Sequence, residues 1–331
     1  MKKIEEDILH VSQKAKELGL SNKSFLITGA TGMIGRLFVK SLQKITNNSK
    51  IYVLGLDFEE VESVYCDSGL ILSSFEKLEE IKQDIDFVIH LASPTSPQYL
   101  KNNPVETINF IYESTKMLLD FSRTHNSKML YVSSMEAYGE IYDENLKSEA
   151  ELGYVNLNNT RSSYPEAKRL CELLCYSYSQ EYKSNVCVAR LAQTFGAGTS
   201  INDPRVFGYF GRCVVNNEDI VLKTKGDSFG NYCYIADTLS AFLFILAKGC
   251  GGETYNVVGD NCRSSILAFA NIVVEKISSN KIKVGFDLSN SSIYPNPTKL
   301  NMSNTKIKFL GWKPMFSLQE MFSRMIDSWN E

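Results

Sequence analysis

Histidine is scarce in this chain of 331 residues: there are three, His10, His90 and His125. None stands at metal-ligand spacing from another, which argues against zinc chemistry and against a histidine-dependent nucleophile triad. Eight cysteines, at 66, 171, 175, 187, 213, 233, 250 and 262, include no CxxC pair. That spacing excludes a disulfide framework and predicts free thiols that pack as small apolar side chains, with Cys171 and Cys175 one helical turn apart. No run of eighteen apolar residues occurs, so no segment has the pattern of a membrane-crossing helix. Positive charge is not in excess either: 35 Lys and Arg stand against 38 Asp and Glu, a net charge of -3. Without a long basic run, nucleic acid and anionic membrane are poor candidates for the main partner. The first residues, Met1-Lys2-Lys3-Ile4-Glu5-Glu6-Asp7, are charged and helix-like, not secretory, so a cytoplasmic protein is expected.

What is present is an ordinary globular composition, 44% hydrophobic and 22% charged, arranged as an alternation of apolar strands and amphipathic helices. A leading helix over residues 1–21 carries Ile4, Ile8, Val11, Ala15 and Leu18 on one stripe. Strands are predicted at 24–28, 51–54, 87–90, 129–132 and 186–189, with helices at 33–45, 104–124 and 163–183 between them. Continuous apolar strands alternating with helices imply an α/β fold with a doubly wound parallel sheet of the Rossmann type. Beyond residue 195 the pattern loosens into a loop over 196–204, a helix near 205–216, a short strand at 220–222, a loop over 291–297 and a last helix ending at Trp329. The expected organisation is a leading helix (1–21), a dinucleotide-binding domain (22–195, with 233–258 returning to it), and a smaller, discontinuous lobe (196–232 and 259–331).

Gly29, Gly32 and Gly35 fall between a predicted strand and a predicted helix, the context a dinucleotide fingerprint requires. The first glycine permits the tight turn, the second a close approach of backbone to pyrophosphate, and the third the packing of helix on strand. The pyrophosphate then lies at a helix N-terminus, where free N–H groups and the dipole favour an anion. Asp57, 22 positions beyond Gly35, is the candidate for the cofactor ribose, and Asp67 for the adenine side. No arginine stands beside Asp57 to hold a 2′-phosphate, so NAD is expected over NADP.

Tyr164-Pro165-Glu166-Ala167-Lys168 carries the chemistry. Ser163 and Glu166 read as a capping box that starts a helix at the tyrosine, which puts Tyr164 and Lys168 on one face. A nearby ammonium favours phenolate, so Tyr164 is the candidate general base, with Lys168 as its tuner and a ribose contact. Ser134 follows the strand at 129–132, at the edge where open α/β sheets bind ligands, and can relay the proton. Glu136 beside it suits proton abstraction next to a ketone or orientation of a leaving group.

These residues together resemble the extended short-chain dehydrogenase/reductases of the NAD-dependent epimerase/dehydratase family, which act on nucleotide-sugars. The resemblance runs from about residue 22 to the C-terminus. It is carried by Gly29-x-x-Gly32-x-x-Gly35, His90-Leu91-Ala92-Ser93, the loop Ser133–Gly139, Tyr164-x-x-x-Lys168, Ala189-Arg190-Leu191-Ala192-Gln193-Thr194-Phe195-Gly196 and Leu310-Gly311-Trp312. Within the family the chain is similar to UDP-glucuronate decarboxylases at Leu91–Pro97, Arg161–Tyr164 and Asn202–Val206. The resemblance implies tightly held NAD, contacted by Gly29, Thr31, Gly32, Met33, Ile34, Gly35, Leu91, Ala92, Ser93, Tyr164 and Lys168. It implies catalysis by Ser134, Tyr164, Lys168 and Glu136 through transient oxidation at C4 of the sugar. Ser93, Gln193, Arg205, Leu222 and Lys223 would contact a nucleotide-sugar, a UDP-sugar by this likeness. A homodimer through the helices near 104–124 and 163–183 is implied as well, and a setting in cell-surface polysaccharide biosynthesis.

Two departures stand out. Met135 occupies the place of an aspartate that protonates the leaving hydroxyl in 4,6-dehydratases, which weakens that reading. Gly230 or Asn231 stands where the family carries a diphosphate-binding arginine, a clamp worth roughly 1.5–3 kcal/mol, with Arg212, Lys223 and Lys225 as candidate substitutes. Epimerisation or decarboxylation without net redox change is the leading expectation. A reductase of ketosugars using NAD(P)H and a non-catalytic dinucleotide-binding protein are the alternatives.

Overall fold

Charge-free apolar runs such as Phe25–Thr28 and Phe87–His90 become parallel strands buried on both faces. The computed structural model describes residues 2–55, 58–65, 68–289 and 297–331. Seven parallel strands form the main sheet. From one edge to the other their order is Thr254–Val257, Val186–Leu191, Lys128–Ser134, Phe87–His90, Phe25–Thr28, Ile51–Gly55 and Ile71–Ser74. The strand order reverses between Phe25–Thr28 and Phe87–His90, and in open α/β sheets the carboxyl ends of the strands at such a point are where ligands bind. The doubly wound expectation is therefore met.

The strands at the two edges, Ile71–Ser74 and Thr254–Val257, escape the apolar pattern because they mix polar and apolar residues. Asn256 is fully buried in the second of them. Its amide nitrogen donates to Tyr138 Oη at 2.7 Å and to the Ser303 carbonyl at 2.9 Å, which removes the penalty of burying it.

Helices Met33–Leu42, Pro104–Thr124, Ser163–Tyr182 and Ile235–Lys248 cover the sheet. The leading helix, Lys3–Glu17, lays Ile8, Val11 and Ala15 into the core and packs on Met33–Leu42, where Ser12 Oγ donates to the Ser41 carbonyl at 2.9 Å. Beyond the main sheet, Arg263–Ser265, Phe229–Tyr234 and Gln193–Phe195 form a three-stranded sheet, and Val284–Phe286 pairs with Ile220–Leu222. The expected helix near 205–216 is observed as Val206–Asn216. The last helix, Leu318–Trp329, starts in a capping box between Ser317 and Glu320. The loop expected at 291–297 lies, except for Pro297, outside the described residues. Among the described residues no helix is long and apolar enough to cross a membrane.

Candidate active site

The glycine turn is built for close approach. Gly29 has φ +67°, and a Cβ on it would lie 2.7 Å from the Ala92 backbone nitrogen. A Cβ on Gly35 would lie 2.3 Å from the Gly29 carbonyl oxygen. Both positions therefore require glycine. Gly32 caps the helix Met33–Leu42 with no side chain bonded to its first amides, which leaves an anion site aimed outward. Thr31, Gly32, Met33 and Ile34 all reach the surface at this turn, as do Leu91, Ala92 and Ser93 after the neighbouring strand. Thr28 Oγ1 accepts from the Ala92 amide at 3.1 Å and lies 2.8 Å from His90 Nδ1, which fixes the loop on the turn. Burial pulls the His90 pKa down to about 3, with a push from Lys168, so the ring is a neutral bridge to Ser114. A backbone cradle at a free helix start fits the pyrophosphate of a dinucleotide. Asp57 and Asp67 lie outside the described residues.

Tyr164 and Lys168 sit one turn apart on the helix Ser163–Tyr182, and both are buried. Its entry differs from the expected capping box. The chain arrives through a turn of 3-10 helix, Thr160–Ser162, so Ser163 is already helical and its hydroxyl has no partner. Glu166 pairs with Arg169 at 3.1 Å instead of reaching back. Lys168 Nζ donates to the Val132 carbonyl at 2.9 Å and lies 5.7 Å from the centre of the Tyr164 ring. Burial draws the Lys168 pKa down to about 8. The Tyr164 phenol is shifted upward, by burial first and then by the Glu136 carboxylate, against opposing hydrogen bonds from Ser134 and Ser93 and the charge of Arg161. Desolvation thus outweighs the expected lowering.

Ser134 ends its strand and accepts from the Glu136 amide at 3.2 Å. The Glu136 carboxylate pairs with Arg161 Nη2 at 2.9 and 3.0 Å. Arg161 Nη1 is buried and has no partner. Ser134, Glu136, Tyr164, Lys168 and Arg161 are thus brought together at the carboxyl edge of the sheet.

On the smaller sheet, Gln193 Oε1 is buried without a partner. Arg205 forks onto Asp203 at 2.6 and 3.0 Å, and its guanidinium lies 4.5 Å from the centre of the Phe207 ring. Leu222 is buried, and Lys223 is exposed and paired with Asp287 at 2.7 Å. Arg212, one candidate for the missing clamp, is committed to the carbonyls of Ile201 and Asp203 at 2.7 and 2.8 Å. A cleft of about 380 Å³ next to Asn231 and Arg263, and a larger one of about 480 Å³ along Glu140–Gly153, touch neither Tyr164 nor Lys168.

The NAD dependent epimerase/dehydratase family matches residues 25–258. The chain belongs to that family. NAD is its cofactor, in keeping with the cradle at Gly29–Gly35. This epimerase/dehydratase-family chain is 26% identical to UDP-glucuronic acid decarboxylase 1 of Xenopus tropicalis, over 98% of its length and 80% of that protein. It is 27% identical to UDP-glucuronic acid decarboxylase 6 of Arabidopsis thaliana, over 91% and 87%. Among solved structures, it superposes on UDP-N-acetylglucosamine 4-epimerase from Methanobrevibacter ruminantium with a TM-score of 0.78 at 20% identity, covering 94% of this chain and 99% of that one. A dTDP-glucose 4,6-dehydratase from Streptomyces venezuelae with NAD bound gives 0.75 at 18%, covering 93% and 97%.

Several residues of the site escape a reading of the family motifs. Glu172, one further turn beyond Lys168, forks onto the buried Arg190 at 2.5 and 3.1 Å and accepts from Ser133 Oγ at 2.5 Å. That network braces the strand end from which Ser134 projects. The spacing 164, 168 and 172 is the signal that points to it. Arg161 lies in the stretch Arg161–Tyr164 that carries the likeness, but its unpartnered Nη1 shows only in the structure, and Tyr232 carries no comparable signal. Each such buried atom costs about 1–3 kcal/mol in the free protein. Among the described residues no cluster of His, Cys, Asp and Glu is placed to hold a metal.

Proposed function

We propose that this family member is a UDP-sugar decarboxylase working through transient oxidation at C4, with Ser134, Tyr164, Lys168 and Glu136 as its catalytic residues. The observation that carries the reading is the convergence of Ser134, Tyr164 and Lys168 at the carboxyl edge of the sheet, next to the glycine cradle. Tyr164, as the phenolate that the Lys168 ammonium beside it favours, takes the proton of the C4 hydroxyl, with Ser134 as the relay. Gly29–Gly35, Leu91–Ser93, Tyr164 and Lys168, together with Asp57 and Asp67, would hold NAD, which would supply the hydride acceptor and donor. The resulting ketone lies β to the sugar carboxylate, whose C–C bond then breaks to release CO2 and leave its electron pair as an enolate. A proton from solvent at C5, then return of the hydride to C4 and of the Tyr164 proton to its oxygen, complete the turn.

Two observations favour decarboxylation over plain C4 epimerisation. Relatives spanning nearly the whole chain are named UDP-glucuronic acid decarboxylases. Arg161 also presents a buried, unpartnered Nη1 beside Tyr164 while its Nη2 holds Glu136, a donor suited to a substrate carboxylate. Ser93, Gln193, Arg205, Leu222 and Lys223 are the proposed substrate contacts. The leading helix 1–21, the NAD-binding part 22–195 with 233–258, and the sugar-nucleotide lobe 196–232 with 259–331 are the proposed domains. A cytoplasmic homodimer is the proposed form. Exposed Ile108, Met117, Leu170 and Leu173 on Pro104–Thr124 and Ser163–Tyr182 support a dimer face.

The test is mass spectrometry of products from a panel of UDP-, GDP-, TDP- and CDP-sugars. Loss of CO2 from UDP-glucuronate is expected. Loss of water, or unchanged mass with a changed retention time, would assign a dehydratase or an epimerase instead, and net consumption of reduced cofactor a reductase. Glu136→Gln separates the two leading chemistries: it cripples a decarboxylase and largely spares a C4 epimerase.

A further inference from the structure

Gln193 Oε1 and Tyr232 Oη are two of the buried polar atoms without partners, and they belong to neighbouring strands. Gln193 and Tyr232 are register partners in a parallel ladder, so both side chains leave the sheet on one face. They also belong to the edge that carries the reacting groups. Gln193 follows Leu191 by two residues, and Leu191 is the register partner of Ser134. Tyr232 is 0% exposed, and its ring is accounted for by edge-on packing against Phe195 at 5.9 Å and Phe269 at 5.3 Å. Its oxygen is not accounted for, although a buried tyrosine hydroxyl ordinarily finds a partner. The phenol ends over Gly230, where a Cβ would lie 2.4 Å from Tyr232 Oη. A side chain at 230 and this phenol cannot share the space, and the chain carries the phenol.

The surroundings define what this pair accepts. Arg263, opposite Asn231 on the adjoining strand, is held by the carbonyls of Leu300 and Lys299 at 3.2 and 3.1 Å. The charge of Arg205 is offset by Asp203. A phosphoryl oxygen has no proton to give and would leave Gln193 Oε1 unpaired. A hydroxyl lodged between them would satisfy both, accepting from the phenol and donating to the amide oxygen.

We propose that Tyr232 is a specificity-determining residue that, with Gln193, binds one hydroxyl of the sugar moiety. The inference rests on the nucleotide-sugar reading above. The position of the arginine clamp is thereby given to a neutral contact that reads the sugar.

The test compares binding of UDP-glucuronate and of UDP to the NAD-loaded protein by calorimetry. Tyr232→Phe should weaken UDP-glucuronate about tenfold, the worth of one hydrogen bond, while UDP affinity and bound NAD stay as in the wild type. The same variant should unfold at a higher temperature without ligand, because an unpaired buried hydroxyl has gone. Gln193→Glu retains an acceptor and should keep UDP binding. Unchanged UDP-glucuronate affinity in Tyr232→Phe overturns the inference and leaves the functional reading intact. Equal weakening of UDP, or loss of UDP binding in Gln193→Glu, overturns it in favour of a phosphate contact. Failure of the wild type to bind either molecule overturns the functional reading and the inference with it.

Discussion

The roles proposed for Tyr164 and Lys168 both depend on burial. Desolvation and Glu136 both push the phenol upward, so positive charge beside it must outweigh them before Tyr164 can act as a base. Removing its oxygen takes away the proton carrier and no packing, so Tyr164→Phe should lower kcat by about 10²–10⁴-fold. Bound NAD, read by absorbance after release from the protein, should be unchanged. Turnover at the wild-type rate would sink the assignment. Lys168 gives a pH dependence of definite sign. Its folded pKa, about 8, lies below its ordinary value of 10.5. Between those limits the unfolded chain binds the proton that the folded chain has lost, so stability rises with pH through that window. Turnover that needs the ammonium falls as pH rises through about 8. Lys168→Met should abolish turnover and flatten the rise in urea midpoint between pH 8 and 10 relative to the wild type. A variant with the full wild-type rise would show that another group is responsible.

At the scale of elements, the leading helix is the member with the least obvious purpose and one of the most thoroughly tied. Arg324, on the last helix, donates to Asp7 Oδ1 at 2.8 Å, to Glu6 Oε2 at 2.9 Å and to Tyr234 Oη at 2.8 Å. Tyr234 Oη in turn donates to Asp7 Oδ2 at 2.6 Å. Asp7 is 2% exposed, and burial raises its pKa against the pull of Tyr234 and Arg324. Arg324→Met would leave that carboxylate buried without its cation and should destabilise the fold by roughly 3–5 kcal/mol, measured by urea unfolding at pH 7. The same helix packs on Met33–Leu42, the helix that begins at the glycine cradle, so the variant should also lose NAD more readily. A stability within about 0.5 kcal/mol of the wild type would place the leading helix outside the cooperative core.

For the whole molecule, the two long helices Pro104–Thr124 and Ser163–Tyr182 pack on each other and still leave apolar side chains outward. Leu173 is 61% exposed and Tyr176 52%, next to Leu170 and across from Met117. Apolar side chains exposed in this number on two packed helices call for cover. In the proposed homodimer, Leu173→Glu should shift the assembly to monomer by light scattering while leaving the far-ultraviolet circular dichroism unchanged. A wild-type protein that is already monomeric would refute the proposed dimer.

Legibility in the sequence followed the range of the interaction. The Rossmann strands were readable because a strand buried on both faces must be apolar throughout. The glycine turn was readable because Gly29 and Gly35 have no room for a Cβ. The pair Tyr164 and Lys168 was readable because helical spacing alone puts them on one face. Residues whose role depends on distant neighbours were not. Ile111 and Leu118 are buried while Ile108 and Met117 on the same helix are exposed, a division that depends on which neighbour each face meets. The edge strand Thr254–Val257 could hide Asn256 only because Tyr138 and Ser303 receive its amide. The direction of the Tyr164 shift was set by burial, which spacing does not report. The sequence by itself determined the fold and the placing of Tyr164 and Lys168 on one helix face, since both arise from local period and excluded volume. Only the tertiary structure decided the surroundings of that pair, the Arg161–Glu136 contact and the phenol over Gly230, because desolvation and unpaired atoms exist only once distant segments have packed.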